Sequence, residues 1–106
     1  MSKYGNIKTY TSDGIKHDSQ KEANRWCELK LLQRAGKISE LERQVPFELI
    51  PKQQGERACT YVADFVYMEN GVKVVEDVKS KATRTESYKI KKKLMLWKYG
   101  IKIKET

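Results

Sequence analysis

Asp64 is the only charged residue in the run Ala58–Met68, which is otherwise rich in β-branched and aromatic side chains. An ionised carboxylate in such a strand is costly unless something pairs with it. Ten to fifteen residues on, Val74-Val75-Glu76-Asp77-Val78-Lys79 supplies two more acids and an ammonium. Side chains alternate along a strand, so Asp77 and Lys79 share one face, while Glu76 and Val78 share the other. Between the two runs, Glu69-Asn70-Gly71 is a strong hairpin signal. Pairing across that turn sets Asp64 near residues 76–78, with the register open by a residue or two. Two carboxylates and one lysine then converge on neighbouring strands. Such a group suits Mg²⁺, with Mn²⁺ able to substitute, and a hydrolytic water. Carboxylates hold the ion through oxygen, the ion polarises a phosphate, and the lysine orients water or stabilises charge on the phosphoryl group.

Glu22 is a further candidate with two open roles. Ser19-x-x-Glu22 has the form of a helix capping box, and a carboxylate at the same place can turn toward a metal. Glu76 belongs to the opposite face of its strand unless a β-bulge exchanges it with Asp77. His17, the only histidine, is expected on a hairpin surface, and Cys27 in the packing of a helix. Cys27 and Cys59 have no CxxC or CxxH spacing, which speaks against both a disulfide framework and a zinc site.

Positioning these residues requires a folded domain. The chain has 106 residues, 39% of them hydrophobic, and only 2 prolines, the composition of one globular domain spanning 1–106. Tyr4 to His17 is expected to form a short N-terminal hairpin around Ser12-Asp13-Gly14, ahead of a core at 18–106. A helix follows from Ser19 to about Ala35, with Gly36 just past its end. Strands are expected at 44–50, 58–68 and 72–79, a second helix at 86–99, and a last short strand at 101–104. In the second helix Ile90, Leu94 and Trp97 form a core stripe, with Tyr88, Met95 and Tyr99 as another apolar row. The order is α-β-β-β-α-β after the hairpin, an α/β (α+β) fold around a mostly antiparallel central sheet. No apolar run approaches the ~18 residues of a membrane span.

The spacing Asp64, then Asp77-x-Lys79, with a helical Glu22 before it, resembles the PD-(D/E)xK nuclease superfamily. The element order is the one that superfamily implies, a restriction-endonuclease-like core. The first motif here is Ala63-Asp64 rather than Pro-Asp. More closely, several strings look like a small family of phage and prophage proteins: Asp13-Gly14-Ile15-Lys16, the stretch from Glu28 to Ile38, Phe47-Glu48-Leu49-Ile50-Pro51, Tyr61-Val62-Ala63-Asp64-Phe65-Val66-Tyr67 and Val75-Glu76-Asp77-Val78-Lys79-Ser80. The resemblance covers nearly the whole chain. It implies a phage-associated deoxyribonuclease at work in the bacterial cytoplasm, acting in recombination or DNA processing. Asp64, Asp77, Lys79 and Glu22 would be its catalytic residues, and the three acids its metal ligands.

Charge distribution points to the same partner. Residues 1–78 balance acid and base, whereas residues 79–106 hold ten basic side chains against Glu86 and Glu105, so the whole formal excess of +8 lies there. Such asymmetry favours a polyanion, and Lys81, Arg84, Lys89, Lys92 and Lys93 are the expected phosphate contacts. The small size favours structure-specific cutting of branched or Holliday-junction DNA over reading of base edges. Two cuts in a symmetric junction need two sites, so a homodimer is expected, joined through Tyr88, Met95 and Tyr99 or through the hairpin. No small-molecule cofactor is implied. The competing class is a non-catalytic nucleic-acid-binding protein that keeps the fold.

Overall fold

The computed structural model describes residues 8–106. Its elements are β1 (Thr9–Tyr10), β2 (Lys16–His17), α1 (Gln20–Arg34), β3 (Ser39–Ile50), β4 (Cys59–Glu69), β5 (Val72–Asp77), α2 (Glu86–Tyr99) and β6 (Lys104–Glu105). The arrangement is the expected mixed α+β one; Tyr4 to Ile7 of the expected hairpin lie outside the described residues. β3, β4 and β5 are consecutive antiparallel neighbours, and β6 joins the far edge parallel to β5. A parallel pair needs a crossover, and α2 provides it.

Local chemistry sets these boundaries. The Ser19 hydroxyl caps α1 by accepting the Glu22 N–H at 3.1 Å. Asn70 and Gly71 both have positive φ, 52° and 76°, the backbone of a tight hairpin whose twist matches its strands. β3 begins five residues before the expected Gln44. Its early part carries exposed Glu40 and Glu42 between half-buried Leu41 and Arg43, and charges facing water along a sheet edge hide a strand from hydropathy. β5 stops at Asp77, short of Lys79. Beyond it, the Val78 N–H turns to the Asp64 carboxylate and the Lys79 N–H to the Thr106 carbonyl. β6 lies at 104–105 and not 101–104: Ile103 alternates with its neighbours because it is buried in the core.

The two helices cover separate clusters. Trp26 and Leu29 of α1 pack on Phe65 and Tyr67, while Tyr88 and Met95 of α2 pack on Phe47, Tyr61, Ala63 and Val75. Tyr61 and Ala63 thus face α2, yet Phe65 and Tyr67, two and four residues further along β4, face α1. β3 does the same, with Phe47 and Leu49 in the α2 cluster and Leu41 against the α1 cluster. Both strands exchange faces between the pairs Arg43–Phe65 and Val45–Ala63. Gln44 has φ 53° at that step. Across from it sits Asp64.

Three packing expectations are corrected. In α2 the core row is Tyr88 and Met95, whereas Ile90 and Trp97 are 57% and 80% exposed and only Leu94 of the expected stripe is partly buried. Tyr88 decides the rotation, because its ring packs near Tyr61 while its hydroxyl reaches the Glu105 carboxylate at 2.7 Å. Tyr88 and Met95 are therefore spent inside the chain and cannot form a dimer row. Cys27 is exposed, since α1 turns Trp26 and Leu29 inward instead. His17 is 1% exposed, because the hairpin folds onto α1, tied there by Trp26 Nε1 and Lys30 Nζ, which both donate to the Asp13 carboxylate. Among the described residues no helix is long and apolar enough to cross a membrane.

Glu76 is fully buried on the α1 side and completely bonded. Arg25 donates to it through Nε (2.6 Å) and Nη2 (2.9 Å), Tyr67 through its hydroxyl (2.7 Å), and Thr106 through Oγ1 (3.2 Å). Burial alone would raise its pKa, but these donors hold it below the usual carboxylate range. Arg25→Ala strands that charge and should lower the urea unfolding free energy by about 3–5 kcal/mol. A loss under about 1 kcal/mol would show that the pair does not anchor α1 to the sheet.

Candidate active site

The β4–β5 ladder ends at Phe65–Glu76, and one step further Asp64 falls beside Asp77. The Val78 N–H fixes Asp64 by donating to Oδ2 at 2.8 Å. Asp77 is buried, with the Tyr61 hydroxyl donating to its Oδ2 at 2.9 Å and the Lys79 ammonium 3.1 Å from the same oxygen. Lys79 is itself confined: its Nζ lies 4.1 Å from the Tyr88 ring centroid, a cation–π contact. Lys21 of α1 donates to the Lys79 carbonyl at 2.8 Å and ties the helix to this turn.

The electrostatics differ sharply from those around Glu76. Burial, then a hydrogen bond with Asp77 and the charge of that neighbour, and finally the charge of Glu22 push the Asp64 carboxyl up to about 9; the Val78 N–H only partly opposes them. Burial and Asp77 likewise push the Tyr61 phenol up. Two acids therefore meet with one lysine and no arginine between them. The pair is short of positive charge.

Glu22 caps α1 with its N–H only. Its carboxylate does not return to the Ser19 amide, as a full capping box requires. It takes the Asp18 N–H at 3.4 Å and Gln44 Nε2 at 3.4 Å instead. Burial, and then the charge of Asp18, raise its pKa. His17 was missed as a neighbour of this group. Its Nδ1 lies 3.7 Å from Glu22 Oε1 with no hydrogen-bond partner, while Nε2 is 3.2 Å from Thr11 Oγ1. Half-buried Ile15, two residues before His17, packs against the α1 cluster from the same hairpin. Tyr61 and Tyr88 were also missed as supports of the site, because their aromatic rings read equally well as plain core.

The expected phosphate contacts are unequal. Arg84 and Lys92 both pair with Glu105, at 3.0 and 3.2 Å, and Lys89 pairs with Glu86 at 3.2 Å. Lys81 and Lys93 are exposed. Burial favours protonation of Glu105, but Tyr88, Lys92 and Arg84 together hold its carboxyl below the usual range.

Among the described residues no group of three or more His, Cys, Asp or Glu side chains is gathered closely enough to hold a metal ion. Asp64 and Asp77 are neighbours on adjacent strands, and the charge of Glu22 is felt at Asp64, but Glu22 is not gathered with them. An all-oxygen, under-neutralised pair fits a hard divalent cation such as Mg²⁺ or Mn²⁺, which binds carboxylates in preference to softer donors.

Residues 1–105 match the model of one protein family, described as "Protein of unknown function (DUF1064)". No curated protein and no solved structure matches the chain.

The raised Asp64 pKa has a measurable sign. Between pH 4 and 9 the folded chain keeps a proton at Asp64 that the unfolded chain has lost, so this group's contribution to stability is full below pH 4 and falls as pH rises toward 9. In chelator, Asp64→Asn should gain on the wild type as pH rises through this window, by at most about 1.4 kcal/mol per pH unit. Parallel stability curves for the two proteins would show that Asp64 is not held in a destabilised pair.

Proposed function

The chain belongs to the DUF1064 family, and we propose that it is a metal-dependent deoxyribonuclease that hydrolyses phosphodiester bonds in branched or otherwise non-duplex DNA. The observation that carries this reading is the Asp64–Asp77–Lys79 group: an under-neutralised acid pair, Asp77 buried and Asp64 half-buried, beside a lysine held in place. Asp64 and Asp77 would hold Mg²⁺ or Mn²⁺, with Glu22 as the third acid on the side of α1. The bound ion would supply Lewis-acid polarisation of the scissile phosphate and a water of lowered pKa.

The chain's own groups have distinct tasks. The Val78 N–H and the Tyr61 hydroxyl fix the orientations of Asp64 and Asp77. Lys79, confined between Asp77 and the Tyr88 ring, presents a fixed positive charge where negative charge grows on the phosphoryl oxygens. The basic C-terminal quarter, with Lys81 and Lys93 exposed and Arg84, Lys89 and Lys92 beside them, draws in the DNA backbone. Contacts to the backbone from this lysine-rich surface favour recognition of DNA shape over base sequence. If the working species is a homodimer with two sites, exposed Trp97 offers apolar surface that Tyr88 and Met95 do not.

The second reading is a non-catalytic nucleic-acid-binding protein. It is favoured by one observation: no three-ligand cluster is gathered among the described residues. It gives no role to an acid pair short of positive charge beside a confined lysine.

Incubation with four-way junction, flap, duplex and single-stranded DNA, in Mg²⁺ and in EDTA, separates the two. Cleavage that requires the metal is expected on at least one substrate; none on any would favour the binding protein. Asp77→Asn should reduce cleavage by about 10²–10³ or more while DNA binding, followed by fluorescence anisotropy, is kept or tightened. Lys79→Ala should slow cleavage with the fold retained by circular dichroism. Wild-type rates in Asp77→Asn would remove that residue from the site.

A further inference from the structure

Along α2 and the approach to β6 lies an open pocket of about 370 Å³. Its rim carries Arg84, Lys89, Lys92, Lys93 and Lys102, against only Glu86 and Glu105. Arg84 and Lys92 are engaged by Glu105, and Lys89 by Glu86. Lys93 and Lys102 have no ion pair among the described residues and are exposed. The apolar part of the lining is Ile90 and Leu96, which are 57% and 55% exposed and account for two of the large hydrophobic side chains that α2 leaves uncovered. Tyr88 lines the same cavity and also sits beneath the Lys79 ammonium, so one ring is shared by the cavity and the candidate active site.

An apolar lining beside a cationic rim suits a ligand that carries both an apolar face and negative charge. A nucleotide has both, in its base and its phosphate. The cavity is near the lower end of the range for small-ligand sites, roughly 300–1,000 Å³, which suits one nucleotide rather than a helix. A paired strand keeps its base faces stacked inside the duplex and would present only sugar and phosphate here. An unpaired strand can turn a base onto Ile90 and Leu96 while Lys93 and Lys102 take the flanking phosphates.

We propose that this cavity seats an unpaired nucleotide next to the cleavage site, so that the substrate is DNA with a single-stranded arm, such as a flap or fork, in preference to a fully paired duplex or four-way junction. The proposal rests on the nuclease reading for the meaning of the cleavage site, but the seat itself can be tested without cleavage.

The test is anisotropy of a labelled blunt duplex, and of the same duplex with a single-stranded arm, bound to the full chain in EDTA. The armed DNA should bind about tenfold more tightly than the blunt form, and the variant carrying Ile90→Ala and Leu96→Ala should bring that ratio close to one. Both side chains are more than half exposed, so the fold should survive. The variant carrying Lys93→Ala and Lys102→Ala should weaken binding of both DNAs and flatten the salt dependence by about 0.9 in log–log slope for each duplex phosphate no longer neutralised. Equal wild-type affinity for the two DNAs would overturn the proposal, as would an unchanged ratio in the Ile90/Leu96 variant. Loss of the nuclease reading has a different signature: arm preference retained in EDTA, with no cleavage of any DNA in Mg²⁺.

Discussion

Two consecutive acids at the end of β5 are both buried, and alternation turns them to opposite sides of the sheet. Glu76 faces α1, where an arginine, a phenol and a threonine hydroxyl satisfy it completely. Asp77 faces α2 and meets a second carboxylate, with one lysine and one phenol to offset the pair. A buried charge with full compensation anchors a fold, whereas one without it weakens the fold and calls for a partner from outside. A step of one residue thus separates a fully compensated acid from an under-compensated one. The other supports of the site follow from it: Val78 must leave the ladder to bond Asp64, and Lys79 must turn back onto Tyr88.

The exchange of faces at Gln44 and Asp64 makes this meeting possible. Tyr61 and Ala63 face α2 and Phe65 and Tyr67 face α1, so Asp64 lies where the strand rotates. The positive φ of Gln44 accommodates the rotation in β3, and the Gln44 side chain reaches Glu22 at the start of α1. Helix, edge strand and central strand thereby converge on the acid pair, although only the central strands carry it.

The element order and the Asp64–Asp77–Lys79 juxtaposition were legible because they rest on local signals: a solitary charge in an apolar strand, an Asn-Gly turn and period-two alternation. Which acid of the Glu76-Asp77 pair faces Lys79 also followed from parity. The rotation of α2 did not. Ile90-Leu94-Trp97 and Tyr88-Met95-Tyr99 are equally apolar rows, and the choice depends on Glu105, seventeen residues from Tyr88, receiving its hydroxyl. The burial of His17 was hidden for a similar reason, since Asp13 draws the hairpin down through Trp26 and Lys30 of a different element. The early part of β3 was masked by the exposed glutamates that suit a sheet edge. Side chains that bond across elements set what periodicity leaves open.

The central claim is that Asp64 and Asp77 form an acid pair held for a divalent cation. Calorimetric titration of Mn²⁺ at pH 7, in two buffers of different ionisation enthalpy, tests it most directly. With its carboxyl pushed up to about 9, Asp64 carries a proton at that pH and must give it up to a metal. Binding should release about one proton per ion in the wild type and none in Asp64→Asn, whose affinity should also fall. No binding by the wild type, or binding without proton release and unchanged in Asp64→Asn, would contradict the account.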